Sequence, residues 1–243
     1  MDILQVTNLV KHFGGVKAVN GVDFELRQGE ILGLIGPNGS GKTTVFNLIS
    51  GVYKADGGKI IFNGDNITGL PPAKVCQRGI VRTFQIPRPF ASLSVLENIH
   101  LGCTYGSNPV KDLKASRAKA REILAFIELE EFSNTKACDL RLLNRKRLEL
   151  GKALAACPKV LMLDEVMGGL TPLEVASAME LIMKIRAEGV SIIVVEHLIR
   201  AIVGICDRAL VLNTGCVIAC GKPDEVVRDP EVISAYLGSA QHA

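Results

Sequence analysis

Residues Gly36-Pro37-Asn38-Gly39-Ser40-Gly41-Lys42-Thr43 combine three chemistries in eight positions. The glycines let successive backbone N–H groups turn toward one point, which makes a cradle for an anion. Lys42 brings a mobile cation, and Thr43 a hydroxyl able to ligate a hard metal ion. The spacing is G-x-x-x-x-G-K-[ST], the pattern of a loop that wraps the phosphates of a nucleotide, with Thr44 as one further candidate contact. In that role Lys42 reaches the β- and γ-phosphates and Thr43 holds Mg²⁺. A glycine-rich turn that binds nothing is the bland alternative, and context decides against it. The continuous apolar run Glu30–Gly36 precedes the loop as a buried strand, and Thr43–Ser50 follows at helical spacing until Gly51.

A second pair stands at Asp164-Glu165, directly after the apolar run Val160–Leu163. A buried strand that ends in two acids presents carboxylates at the sheet edge where α/β folds bind ligands. Alone, such a strand end is ordinarily just solvated. Beside a phosphate loop the same residues gain roles: Asp164 holds Mg²⁺ through water, and Glu165 polarises the attacking water.

These residues need a scaffold. Ile3, Leu4 and Val6, then Val19, Val22, Phe24 and Leu26, alternate as two strands of a half-buried antiparallel layer. Ile60–Asn63 reads as a further strand, with a turn at Gly64-Asp65. From Pro87 to Cys157 strand-like runs disappear. Three helices are expected there: Ser94–Leu101, with a capping box at Ser94 and Glu97; Lys111–Phe132, with Leu113, Ala120, Leu124 and Ile127 on one face; and Arg145–Ala156. After Pro158 the buried runs return at Val160–Leu163, Ser191–Val195 and Ala209–Leu212, alternating with helices at Pro172–Ala187 and Leu198–Cys206. The reading is a P-loop α/β core with a mainly parallel sheet, an antiparallel β layer and an inserted α-helical subdomain. The core takes residues 1–86 and 158–243, and the subdomain 87–157.

Composition narrows the class. The 243 residues are 48% hydrophobic, yet no apolar run approaches the roughly 18 residues a membrane span needs. The chain opens on Met1-Asp2 without a signal-peptide pattern, so a cytoplasmic location is expected. With 28 basic against 25 acidic residues, no Trp and 5% aromatics, nucleic acid is not an expected partner. The seven Cys are scattered and are expected to be reduced and mostly buried.

In their order along the chain, these motifs resemble the nucleotide-binding subunits of ABC transporters. The resemblance implies further roles. Gln85, in Arg82-Thr-Phe-Gln85, matches the Q-loop glutamine that senses Mg²⁺ and the water; His197 matches the switch histidine at the γ-phosphate; Phe13 matches the aromatic residue that stacks on adenine. Without the resemblance, Gln85 would be a surface amide, His197 a capping residue and Phe13 a buried strand residue. Val81–Ile99, Gly221–Gly238 and Phe13-Gly-Gly-Val-Lys-Ala-Val19 look narrower still, similar to Liv-type ATPases of branched-chain amino acid importers.

The chain departs from that family in three places. Leu140-Arg141-Leu142-Leu143-Asn144 stands where Leu-Ser-Gly-Gly-Gln is usual, so the hydroxyl and both glycines are gone, while Arg141 supplies charge. Val166 replaces Pro, and Thr171 replaces Asp or Asn. The resemblance implies an ATP- and Mg²⁺-dependent ATPase, peripheral on the inner face of the cell membrane. Its implied partners are permease subunits, a second ATPase subunit and, indirectly, a solute-binding protein. Residues Ile86–Leu96 are expected to push on the permease. A non-transport ABC ATPase and an ATP-binding regulatory module with a degenerate signature are the alternatives.

Overall fold

The computed structural model describes residues 1–239; residues 240–243, the end of the expected core, lie outside the described part. The alternation near the start builds a hairpin: β1 (Asp2–Phe13) and β2 (Val16–Arg27) pair antiparallel, with Leu4 opposite Leu26 and Val6 opposite Phe24. The continuous apolar run becomes β3 (Ile31–Ile35), buried at every position, and the phosphate-loop sequence leads from it into α1 (Lys42–Ile49). β4 (Gly57–Phe62) pairs with β1, and the two-residue β5 (Asp65–Asn66) follows across a turn, giving an antiparallel sheet of order β2-β1-β4-β5.

Two short elements then appear that the sequence reading passed over. α2 (Pro72–Arg78) has Pro in its first turn and Gly79 at its carboxyl end, and β6 (Ile80–Arg82) is only three residues long. The expected helical stretch follows. α3 (Val95–Tyr105) begins at Ser94 with the capping box formed, since Ser94 and Glu97 each bond the other's backbone N–H. α4 (Leu113–Phe126) is shorter than expected. Glu128 takes a positive φ of 58°, which ends the helix, and a 3₁₀ turn spans Glu130–Phe132. Leu113 is exposed rather than on the buried face. α5 (Leu142–Ala155) starts three residues before Arg145.

The remaining elements alternate. They are β7 (Val160–Asp164), α6 (Pro172–Ala187), β8 (Ser191–Val195), α7 (Ile199–Ile205), β9 (Arg208–Asn213), β10 (Cys216–Gly221), α8 (Pro223–Val226) and α9 (Pro230–Ser239). The second sheet has the order β10-β9-β3-β8-β7-β6, all parallel except the β10 edge.

Period-2 geometry divides this sheet between two cores. Ile31, Ile35, Leu161, Leu163, Ile192 and Val194 point to one face and pack with Ile99, Leu148 and Ile182 of the helices. Leu32, Leu34, Met162, Ile193 and Val195 point to the other face, where α1 supplies Val45, Phe46 and Ile49 and the antiparallel layer supplies Leu4, Leu9 and Leu26. Parallel strands covered on both faces thus absorb much of the apolar composition. The cysteines correct one expectation. All seven are free, but only Cys103 is buried, while Cys138 and Cys220 are exposed. Cys216 and Cys220 lie on β10, the edge strand of this sheet.

Candidate active site

β3, β8, β7 and β6 are consecutive, parallel neighbours, so their carboxyl ends share one edge of the sheet. Each end delivers one part of the site: β3 runs into residues 36–44, β8 into Glu196 and His197, β7 into Asp164 and Glu165, and β6 toward Gln85. Four stretches far apart in sequence meet because the topology places their strand ends side by side.

The phosphate loop is held by backbone geometry. A Cβ on Gly36 (φ 144°) would overlap the Leu212 carbonyl oxygen, and one on Gly41 (φ 107°) would lie 2.5 Å from the Ala18 oxygen. α1 has no side-chain cap and no acid in its first turn, so its leading N–H groups are free to meet an anion. Lys42 is buried, and its Nζ donates to the Gly36 and Pro37 carbonyls at 2.7 and 2.9 Å. Burial pushes its pKa down, while the Glu165 and Asp164 carboxylates pull it back up. A cavity of about 360 Å³ opens over the loop. It is lined by Asn38, Gly39, Ser40, Gly41, Lys42, Thr43 and Thr44 together with Glu165, His197, Val16, Lys17, Ala18 and Thr214.

Glu165 sits at the centre of the polar contacts. Gln85 Nε2 donates to its Oε2 at 2.5 Å, and His197 Nε2 lies 2.8 Å from its Oε1. Its φ of 49° turns the carboxylate out of the strand path, and its N–H still bonds the Val195 carbonyl. Asp164 is handled differently. It is buried and paired at 2.9 Å with Arg82, whose guanidinium also donates to Asn47 Oδ1 of α1 at 2.5 Å. Burial raises the Asp164 pKa, an effect that Arg82 opposes and the Glu165 charge reinforces. Arg82 therefore ties the helix behind the phosphate loop, the acidic strand end and the strand leading to Gln85. Sequence reasoning quoted Arg82 without giving it a role, because no local pattern marks a pairing across 82 residues. Glu196 was missed as well: it is buried, and its carboxylate accepts the Met167 N–H at 2.8 Å, fixing the turn after Glu165.

Thr43, Asp164 and Gln85 offer hydroxyl, carboxylate and amide oxygens, the hard donors that suit Mg²⁺. Among the described residues no group of three or more His, Cys, Asp or Glu could hold a metal ion. That donor set matches an ion shared with substrate phosphates and water rather than a protein cage.

Other expected residues lie apart. Phe13 is exposed, not a buried strand residue; its ring meets Tyr53 edge-on with centroids 5.2 Å apart, and it does not line the cavity. Leu140 is buried in the helical core, Arg141 precedes α5 without a side-chain cap, and Leu142–Asn144 form the first turn of that helix. No residue from 140 to 144 has a positive φ, so the missing glycines cause no backbone strain here. Thr171 caps α6 in a reciprocal box with Glu174, and Val166 is buried.

Fold and site define a P-loop cassette with a helical insertion. The sequence model of the ABC transporter family matches residues 19–168, and that of the branched-chain amino acid ATP-binding cassette transporter matches residues 216–242. The chain is 38% identical over 252 residues to the high-affinity branched-chain amino acid transport ATP-binding protein BraF of Pseudomonas aeruginosa, covering 98% of each chain. It is 39% identical over 251 residues to LivG, of the same description, from Escherichia coli K12, again covering 98% of both. A solved ATP-binding cassette of an ABC transporter in its ADP conformation has a TM-score of 0.90 at 34% identity, covering 98% of this chain and 99% of that one. The chain belongs to the ABC transporter family, as one of its ATPase cassettes.

Proposed function

We propose that this chain binds and hydrolyses ATP to drive an importer of branched-chain or related amino acids. The observation that carries the solute class is the match of the tail, residues 216–242, to the branched-chain cassette model, beside near full-length identity to BraF and LivG. Among the described residues no helix is long and apolar enough to cross a membrane. As the ATPase of an importer, the chain would sit on the inner face, docked to permease subunits that carry the path. Exposed Phe84, Ile86 and Phe90 suit such docking, and a solute-binding protein would feed the permease from the far side.

In this reading residues 1–86 and 158–243 form the nucleotide core, and 87–157 the subdomain that moves against the permease. Residues 36–44 wrap the phosphates, Lys42 neutralises the β- and γ-oxygens, and Phe13 closes on the adenine. Thr43, Asp164 and Gln85 hold Mg²⁺, which spreads the charge of the phosphates when bound. Glu165, oriented by Gln85 and His197, takes the water's proton. His197 then faces the γ-phosphate. Two cassettes sandwich two ATPs, each completed by the other's 140–144 segment. This chain offers only the bare N–H groups at the start of α5 and Arg141 there, so with a second, different ATPase subunit the two sites are unequal.

Reconstitution with the permease pair, the second ATPase and the binding protein tests this. Leucine-stimulated ATP turnover supports the solute class, and co-purification with ribosomes or DNA instead of a permease overturns it. Glu165→Gln in this chain should cost more turnover than the same change in the partner. Equal losses contradict the asymmetry.

A further inference from the structure

The C-terminal helix reaches into the phosphate loop. Gly36 opens that loop and is buried, and its N–H donates to the hydroxyl of Tyr236 on α9 at 2.8 Å, across 200 residues of sequence. On the other side the Gly36 carbonyl accepts Lys42 Nζ at 2.7 Å. The two peptide planes around Gly36 are thus gripped from opposite ends, with the Leu212 carbonyl against its Cα leaving no space for a side chain. A buried N–H deprived of its acceptor either bears its desolvation cost or turns to find another, and turning here would move the start of the cradle. α9 also approaches the other end of the site. A second cavity, of about 410 Å³, brings Tyr236 and Val232 together with Ile35, His197 and Ile199.

We propose that Tyr236 is a positioning residue for nucleotide binding. Through Gly36 it sets the first turn of the phosphate loop, so the C-terminal helix tunes nucleotide affinity from outside the nucleotide cavity. Tyr236 comes from residues 216–242, the tail matched by the branched-chain cassette model. Any partner that displaces α9 would loosen the bound nucleotide. The inference rests on the reading of residues 36–44 as the phosphate cradle.

The test compares nucleotide affinity of the full chain, Tyr236→Phe and Lys42→Ala by calorimetric titration with ATP, in Mg²⁺ and in EDTA. Tyr236→Phe keeps the ring and removes the hydroxyl that accepts the Gly36 N–H. Its Kd should rise roughly 5- to 20-fold, about 1 to 1.8 kcal/mol at 1.4 kcal/mol per tenfold. The KM for ATP in the assembled transporter should rise in the same proportion as the Kd. Gly36 amide exchange, protected in the wild type, should speed up in the variant. An unchanged Kd overturns the proposal, even with a lower melting temperature, because the contact would then be structural only. Equal Gly36 exchange rates overturn it as well. Wild-type affinity in Lys42→Ala instead removes the cradle reading beneath it.

Discussion

Replacing Arg82 by Met tests whether one cation organises the site. Its guanidinium and the Asp164 carboxylate are 10% and 8% exposed, so neither is well solvated. Burial lowers the Arg82 pKa and, together with the Glu165 charge, raises that of Asp164, in each case against their mutual attraction. The pair is therefore not a strong source of stability in itself, but breaking it leaves a buried charge unpaired. That costs about 3–5 kcal/mol. For a chain of this length 1 kcal/mol moves Tm by about 2–4 °C, so even the lower bound predicts a fall of about 6–12 °C. The pH dependence has a definite sign. Losing Arg82 lets the Asp164 pKa rise further, and a native state that holds a proton the unfolded chain releases is favoured by acid. Its contribution is complete below the unfolded value of about 3.9 and is lost as pH rises through the native value. The deficit of Arg82→Met should therefore grow as pH rises above about 4 in urea titrations of the nucleotide-free chain. Arg82→Met with Asp164→Asn removes both charges and should recover most of the loss. A single variant within about 1 kcal/mol of wild type at pH 8, or a double variant no better than the single, refutes the reasoning.

Three further outcomes follow from the packing. Gly36→Ala should weaken ATP binding by at least about tenfold in titrations, because its Cβ would strike the Leu212 carbonyl and the required φ is unfavourable to L residues. Thr171→Ala should cost about 1 kcal/mol in urea unfolding through loss of the α6 cap, and wild-type stability would deny the capping role. Phe46→Ala should cost about 3–5 kcal/mol, since the ring is fully buried between the two sheets, and a loss below about 1 kcal/mol would contradict that packing.

Much of this was legible in the sequence for local reasons. The phosphate loop, the Ser94 capping box and the buried runs at Ile31–Ile35, Val160–Asp164 and Ser191–Val195 carry their signals within a few residues. Where the reading failed, the cause lay in contacts distant along the chain or in unusual backbone. β6 is too short to show a period, although it carries Arg82 to Asp164. α4 stops at a left-handed Glu128, a residue type that gives no stop signal. α2 differs, since Pro72 at its start and Gly79 at its end are local signals of a short helix. Tyr236 looked like part of a family tail, and only the fold brings it to Gly36.

In the proposed mechanism Glu165, held by Gln85 and His197, drives hydrolysis at a site built from residues 36–44. ATP retention and ATP turnover by Glu165→Gln, measured side by side in the assembled transporter, test it most directly. Retained nucleotide with turnover reduced by about a hundredfold or more is the expected result. Wild-type turnover in that variant would contradict the account.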